Sequence, residues 1–217
     1  MSTSHHRSGT PERWLVIGCL MGLLLLAAVV FASHLVIEQE IAQHKNGSTV
    51  VNLSGRQRML SQRLAKSSLR ILSANDQVVL RGAFSELDAS LILLRSTHQA
   101  LLTRDSSQGL SGLNSPLIQQ LFEEISPAFE QIVAAADTIL QHRQLSPSEL
   151  RQNSAVTAAV ADIVEAEGRF LSTMNQIVFE YDRETQSLLK HTEEMENLLY
   201  YSMLIILLLE GIFIFRP

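Results

Sequence analysis

Arg56, Arg58, Arg63 and Lys66 fall within three helical turns of one another, and Arg70 follows one turn later. No Asp or Glu lies between Glu40 and Asp76, although the segment from Glu38 to Glu196 holds 20 acidic and 14 basic residues. A cation cluster in an otherwise acidic segment has two uses. It can hold an anion, or it can form a solvated face with arginine stems lying over apolar neighbours.

Helical phase separates the candidates. Leu53, Leu60, Leu64, Ser67 and Ile71 share one face, suited to the core of a bundle. Ile41, His44, Ser48, Val51, Gly55, Arg58, Gln62, Ala65, Leu69 and Leu72 follow a 3-4 repeat on the nearly opposite face, suited to pairing with a second helix along a seam. In a symmetric parallel dimer each seam residue meets its own copy, so Arg58 faces Arg58. An anion held between the two guanidinium groups offsets their repulsion. Gly55, one turn away, leaves room for that approach. For Arg56, Arg63, Lys66 and Arg70 the solvated face stands beside the anion role, and Arg63 either assists Arg58 from the flank or pairs with an acidic residue of the fourth helix.

The elements that must position this stretch are helices. Trp14 to Ile37 holds no Asp, Glu, Lys or Arg, and a helix of that length, about 36 Å, crosses a bilayer. Leu198 to Phe215 is a second apolar run, interrupted by Glu210. Arg7 and Arg13 before the first run and Arg216 after the second put both ends in the cytoplasm and the middle outside, in the periplasm of a bacterial cell. The expected organisation is a cytoplasmic tail over 1–13, a transmembrane helix over 14–37, a periplasmic domain over 38–196, a second transmembrane helix over 197–215, and the start of a cytoplasmic part at 216–217. The first apolar run is longer than a signal core, so an uncleaved anchor is expected despite a candidate cleavage site at Val30-Phe31-Ala32. Cys19 reads as a buried membrane residue, and a single Cys gives no disulfide framework.

Between the spans, four helical patterns follow one another. The first continues from the membrane helix to about Ser73. The second runs from about Gln77 to Arg104, with Leu80, Phe84, Leu87, Leu91, Leu94 and Leu101 as its apolar face. After a loop over Asp105–Ser115, Ser115-Pro116 opens the third, with a kink or short break expected at Ser126-Pro127. Ser146-Pro147-Ser148-Glu149 is a capping box that opens the fourth. From Pro147 no further Pro interrupts the pattern before Pro217, and Val156, Val160, Ile163, Phe170, Met174, Ile177, Tyr181 and Leu188 keep a 4-3 spacing. No strand-like alternation of useful length occurs. The predicted fold is all-α: an antiparallel four-helix bundle between two transmembrane helices, with its first and fourth helices continuous with the spans.

The stretch Asn52-Leu-Ser-Gly55-Arg56-Gln57-Arg58-Met59-Leu60-Ser61-Gln62-Arg63 resembles the signature of the PilJ-type sensor domain of type IV pilus chemotaxis transducers. Through Asn52, Gly55, Arg58, Met59 and Arg63 it is also similar to the box of NarX/NarQ-type nitrate and nitrite sensor kinases, while Arg56-Gln57 follows the PilJ pattern and departs from the kinases. The resemblance implies a periplasmic four-helix bundle, a homodimer, and nitrate bound at the dimer seam by the arginine matching Arg58. The candidate anion ligands are therefore Arg58, Gly55, Arg63 and Asn52.

Other ionisable groups carry weaker expectations. Glu210 reads as a structural or interfacial residue near the cytoplasmic end of its span. The pairs His34–Glu38 and His44–Glu40 supply two ligands each and fall short of a closed metal site, and His5-His6 reads as a solvated tail pair. No phosphate loop, nucleophile elbow or di-iron pattern is present, and the basic run lacks the interleaved aromatics of a nucleic-acid surface. The function read from the residues is non-enzymatic, with no cofactor. The chain is a receptor input module of the inner membrane that senses a small oxyanion, nitrate or nitrite first, and passes a helix displacement to a cytoplasmic output. Expected partners are a second copy, the anion, membrane lipid and a cytoplasmic signalling partner. The chain closes where a cytoplasmic linker starts, so it is expected to be a fragment or to work through that separate partner. The rival reading is a membrane-anchored helical scaffold that docks a periplasmic or pilus protein.

Overall fold

The computed structural model describes residues 11–215 and contains helices with no strand among them. The expectations placed on His5-His6, Arg7, Arg13, Arg216 and the His44–Glu40 pair lie outside the described residues or side chains. Helix α1 spans Pro11–Ser73 and α2 spans Gln77–Thr103. A short 3-10 turn at Ser106–Gln108 precedes α3, Pro116–Gln141. A single short helix, α4, Pro147–Gln152, then leads to α5, Ser154–Phe215. Within the described residues α1 already includes Pro11–Arg13 of the expected tail.

Two compact units result. One is Lys45–Thr185, inside the segment expected to form the sensor domain, and the other joins the described parts of Met1–His44 and Gln186–Pro217. Within Lys45–Thr185, Leu60, Leu64 and Ile71 of α1, Leu87, Leu91 and Leu94 of α2, Ile118, Ile125 and Ile132 of α3, and Ile163, Phe170 and Met174 of α5 share one buried core. Leu53 and Ser67 are buried with them, so the whole inward face expected of α1 is inward. The apolar face of α2 and that of α5 from Val156 to Tyr181 are buried too, whereas Leu188, beyond this unit, is 51% exposed.

Polar contacts give the direction of each neighbour. Gln57 bonds the Leu94 carbonyl at 2.9 Å while Arg70 bonds Glu86, so α2 descends as α1 rises. Gln131 contacts Asp162 and Arg169, and Thr173 contacts Glu124, so α3 and α5 are antiparallel as well. The unit is an antiparallel bundle of four long helical segments with α4 at the turn between α3 and α5.

Of the kink or short break expected at Ser126-Pro127, the break is absent: α3 is one continuous helix. Ile125 and Ala128 on either side are buried while Pro127 is exposed, and the packing of both halves outweighs one missing hydrogen bond. The fourth pattern is broken instead at Asn153, whose backbone is extended. Its Oδ1 accepts from the N–H groups of Ala155 and Val156 at 3.0 and 3.2 Å and so starts α5 afresh.

The capping box itself is complete: the Glu149 N–H donates to Ser146 Oγ, and the Ser146 N–H donates to Glu149 Oε2 at 2.7 Å. Hydrogen bonds to the Glu149 carboxylate from the hydroxyl and then the N–H of Ser146 favour its ionised form and lower its pKa. Ser146→Ala removes the cap and is expected to cost about 1 kcal/mol in denaturant unfolding.

His98 sits in the core, 4% exposed, stacked on Phe129 at 3.8 Å and 11° with Phe122 at its edge. Burial pushes its pKa down to about 4. The native state therefore disfavours the imidazolium that the unfolded chain forms near pH 6.5. Because the unfolded chain binds the extra proton, stability is present above pH 6.5 and is lost as pH falls from there towards 4, by no more than about 3 kcal/mol. Denaturant unfolding of His98→Leu against pH should show a flatter profile over that window than the parent chain.

Candidate functional site

Gln57, Ser54 and Ser61 of the Asn52–Arg63 stretch are fully buried. Gln57 donates to the Leu94 carbonyl and to Thr97 Oγ1 across to α2. Ser54 and Ser61 donate back to carbonyls of their own helix, at Val50 and Arg58. Gln57 thus joins α1 to α2, and none of the three was among the expected site residues. The signal for them was available: Ser54, Ser61 and Ser68 recur every seven residues beside the core face, as buried small residues on a helix do.

Arg58 is half-buried, and its Nε is enclosed with no hydrogen-bond partner among the described residues. No ion pair to Arg58 occurs among the described residues. The guanidinium holds a permanent charge, and its enclosed Nε–H is left unsatisfied. Gly55 is half-buried, and a Cβ added to it would meet nothing within 4 Å, so the surface beside Arg58 is open. Asn52 is exposed, two turns before Arg58.

Arg63 is placed differently. Five residues beyond Arg58, it lies about 140° away around the helix, and its Nε is 3.5 Å from Glu86 Oε1. Arg70 Nη1 reaches the other oxygen of the same carboxylate at 2.8 Å. The acidic partner of Arg63 thus comes from α2, not from the fourth helix. A turn of only three residues, Ala74 to Asp76, lays the start of α2 alongside Arg63 and Arg70 and brings Glu86 between them. Round α1, Gly55 lies about 60° from Arg58, whereas Asn52 and Arg63 lie about 120° and 140° away, together on one flank. Arg56 and Lys66 are exposed.

A second polar cluster, unforeseen in the sequence, closes the end of the bundle where the chain enters and leaves. Tyr181 donates to Asn114 Oδ1 at 2.7 Å, and Asn114 Nδ2 donates to the Leu101 carbonyl at 2.9 Å. The Arg104 guanidinium lies over the Tyr181 ring, 5.6 Å from its centroid. Burial pushes the Tyr181 pKa well up, so the phenol keeps its proton and its donor role. Arg104 ends α2 in the left-handed region, φ 53°, which a Gly usually occupies. No periodicity marks such a residue.

In the apolar unit, two segments are long and apolar enough to cross a membrane, Val16–Glu38 and one within Ser154–Ile212. Cys19 is half-buried there. His34 and Glu38 are 3.4 Å apart and both well exposed. No group of three His, Cys, Asp or Glu that could hold a metal occurs among the described residues.

The bundle helices α1 and α5 each run on into an apolar segment, α1 at its start and α5 at its end. Comparison with protein families gives the class: the model described as PilJ, type IV pili methyl-accepting chemotaxis transducer N-term, matches residues 41–157. That is more than half of the chain, and the chain belongs to the PilJ family. The domain is accordingly a sensory, non-catalytic input module of the chemotaxis-transducer type. No curated protein and no solved structure matches the chain.

Proposed function

We propose that the chain is the input module of a bacterial inner-membrane receptor whose periplasmic bundle, residues 38–196, binds a small oxyanion, nitrate or nitrite first, between two copies of α1. The observation that carries this reading is Arg58. Its Nε–H is enclosed and unpaired, while Arg63 and Arg70 of the same helix are committed to Glu86. The open space over Gly55 and the exposed positions Ser48, Gln62 and Leu69 leave α1 a surface for a second copy, while Val51 and Ala65 between them pack partly against the core of their own bundle. Asn52 stands at the edge of that face, and Arg63 supports it only through the field of its ion pair.

Membership of the PilJ family supports the sensory role, and the two apolar helices support anchoring in the membrane with lipid around them. A ligand that favours one packing of the two α1 helices over another shifts their position, and α1 and α5 carry that shift into the apolar segments. A cytoplasmic partner or a following output segment would receive it.

The test is thermal. A ligand that binds the folded dimer raises the unfolding temperature of the full chain in detergent micelles by mass action. Nitrate and nitrite should raise it, chloride at equal ionic strength should not, and Arg58→Ala should remove the difference. No stabilisation by any small anion leaves the second reading, a scaffold for a periplasmic or pilus protein, which Leu113 at 90% and Phe179 at 64% exposure favour as docking side chains.

A further inference from the structure

Glu210 stands alone as an acidic residue in the apolar run 198–215. Its Oε1 is enclosed and has no hydrogen-bond partner among the described residues. The side chain is directed at Gly22 of α1: a Cβ built on that glycine would fall inside the Glu210 carboxyl group. The carboxyl therefore occupies the volume that a side chain at position 22 would take. Gly22 is buried while its neighbours Met21 and Leu23 are 58% and 60% exposed.

The covered positions of both helices keep a 3-4 spacing: Cys19, Gly22, Leu26 and Val29 on α1, and Met203, Ile206 and Glu210 on α5. One turn before Gly22, Gly18 is half-buried and completes Gly18-Cys19-Leu20-Met21-Gly22. Glycines four apart form a shallow groove that lets helices approach closely. In lipid, the apolar side chains of two helices resist sliding only weakly, because lipid tails are as apolar as leucine. One polar side chain in a glycine-wide gap resists it more.

We infer that Gly22 and Gly18 are two alternative seats for the Glu210 side chain, and that they set two registers of the apolar helices one helical turn apart. This rests on the reading of those helices as membrane spans that relay a displacement. The register described has Glu210 in the Gly22 seat. In the other, α5 is displaced by about 5.4 Å along α1, and the carboxyl enters the gap at Gly18. Cys19, Leu20 and Met21 carry side chains and offer no seat between the two. A glycine-lined pair of seats makes the spans bistable, which a relay of a small seam movement requires.

Cross-linking in membranes reads the register directly. In a full-length Cys19→Ser background, Leu26→Cys is combined either with Ile206→Cys, which lies opposite it in the Gly22 register, or with Ser202→Cys, which lies opposite it in the Gly18 register. The parent chain should cross-link mainly through the 26/206 pair. Gly22→Leu should move the main cross-link to 26/202, and Gly18→Leu should leave it at 26/206. Glu210→Leu should remove the preference, so that both pairs form. An unchanged 26/206 preference in Gly22→Leu or in Glu210→Leu overturns the two-seat lock. Extraction of the chain by alkaline carbonate overturns the spanning reading separately, and the cross-link pattern then still decides the lock.

Discussion

Phe170→Ala is expected to cost about 3–5 kcal/mol of folding stability, the range for removing a fully enclosed aromatic ring from a core that collapses only in part. Phe170 is fully buried on α5 and heads the large side chains of the core. Its ring lies 6.4 Å from that of Phe129, which in turn stacks on His98. The cavity thus opens beside Phe129, where α3 and α5 meet. A domain of ordinary stability has about 5–15 kcal/mol in total, so the variant should unfold at much lower denaturant. Val164→Ala, on the same helix but 44% exposed, is the control and should change stability by less than about 0.5 kcal/mol. Equal effects of the two substitutions would contradict the placement of the core.

The second large effect is on binding. Arg58→Ala removes from each copy a guanidinium whose Nε has no hydrogen-bond partner among the described residues, so folding should change little. Anion binding should weaken by about 2–5 kcal/mol, the cost of truncating one partner of an enclosed, hydrogen-bonded charge pair, or about thirtyfold to several thousandfold in affinity. Arg58→Lys keeps the charge but not the planar fork, and should recover only part of the loss. Arg63→Ala behaves in the opposite way: it leaves Glu86 with Arg70 alone, and should change stability slightly and affinity only through the weakened local field.

These two expectations show where the sequence was legible. The spacing of Leu53, Leu60, Leu64 and Ile71 identified the inward face of α1, because burial of apolar surface is periodic on a helix and needs no knowledge of the partner. The capping box at Ser146 was readable for the same reason, as its bonds lie within four residues. The break at Asn153 was not: the apolar spacing after it belongs to a helix, and Asn gave no sign strong enough to divide it. At Pro127 the local rule allows a kink or a break, and burial of Ile125 and Ala128 on either side keeps α3 unbroken. At the site, Arg58 was set apart from the other cations as a candidate by seam phase together with its place in the family signature. The pairing of Arg63 with Glu86 depends on how α2 folds back, and Gln57 inside the bundle depends on the Leu94 carbonyl opposite it. Contacts between distant parts of the chain leave no periodic trace.

Isothermal titration of nitrate into the full chain in detergent micelles, with chloride as the reference anion, tests the central claim most directly. The account predicts saturable heat with one nitrate for every two chains, absent with chloride and lost in Arg58→Ala. No heat with nitrate or nitrite, or binding that survives Arg58→Ala, would contradict it.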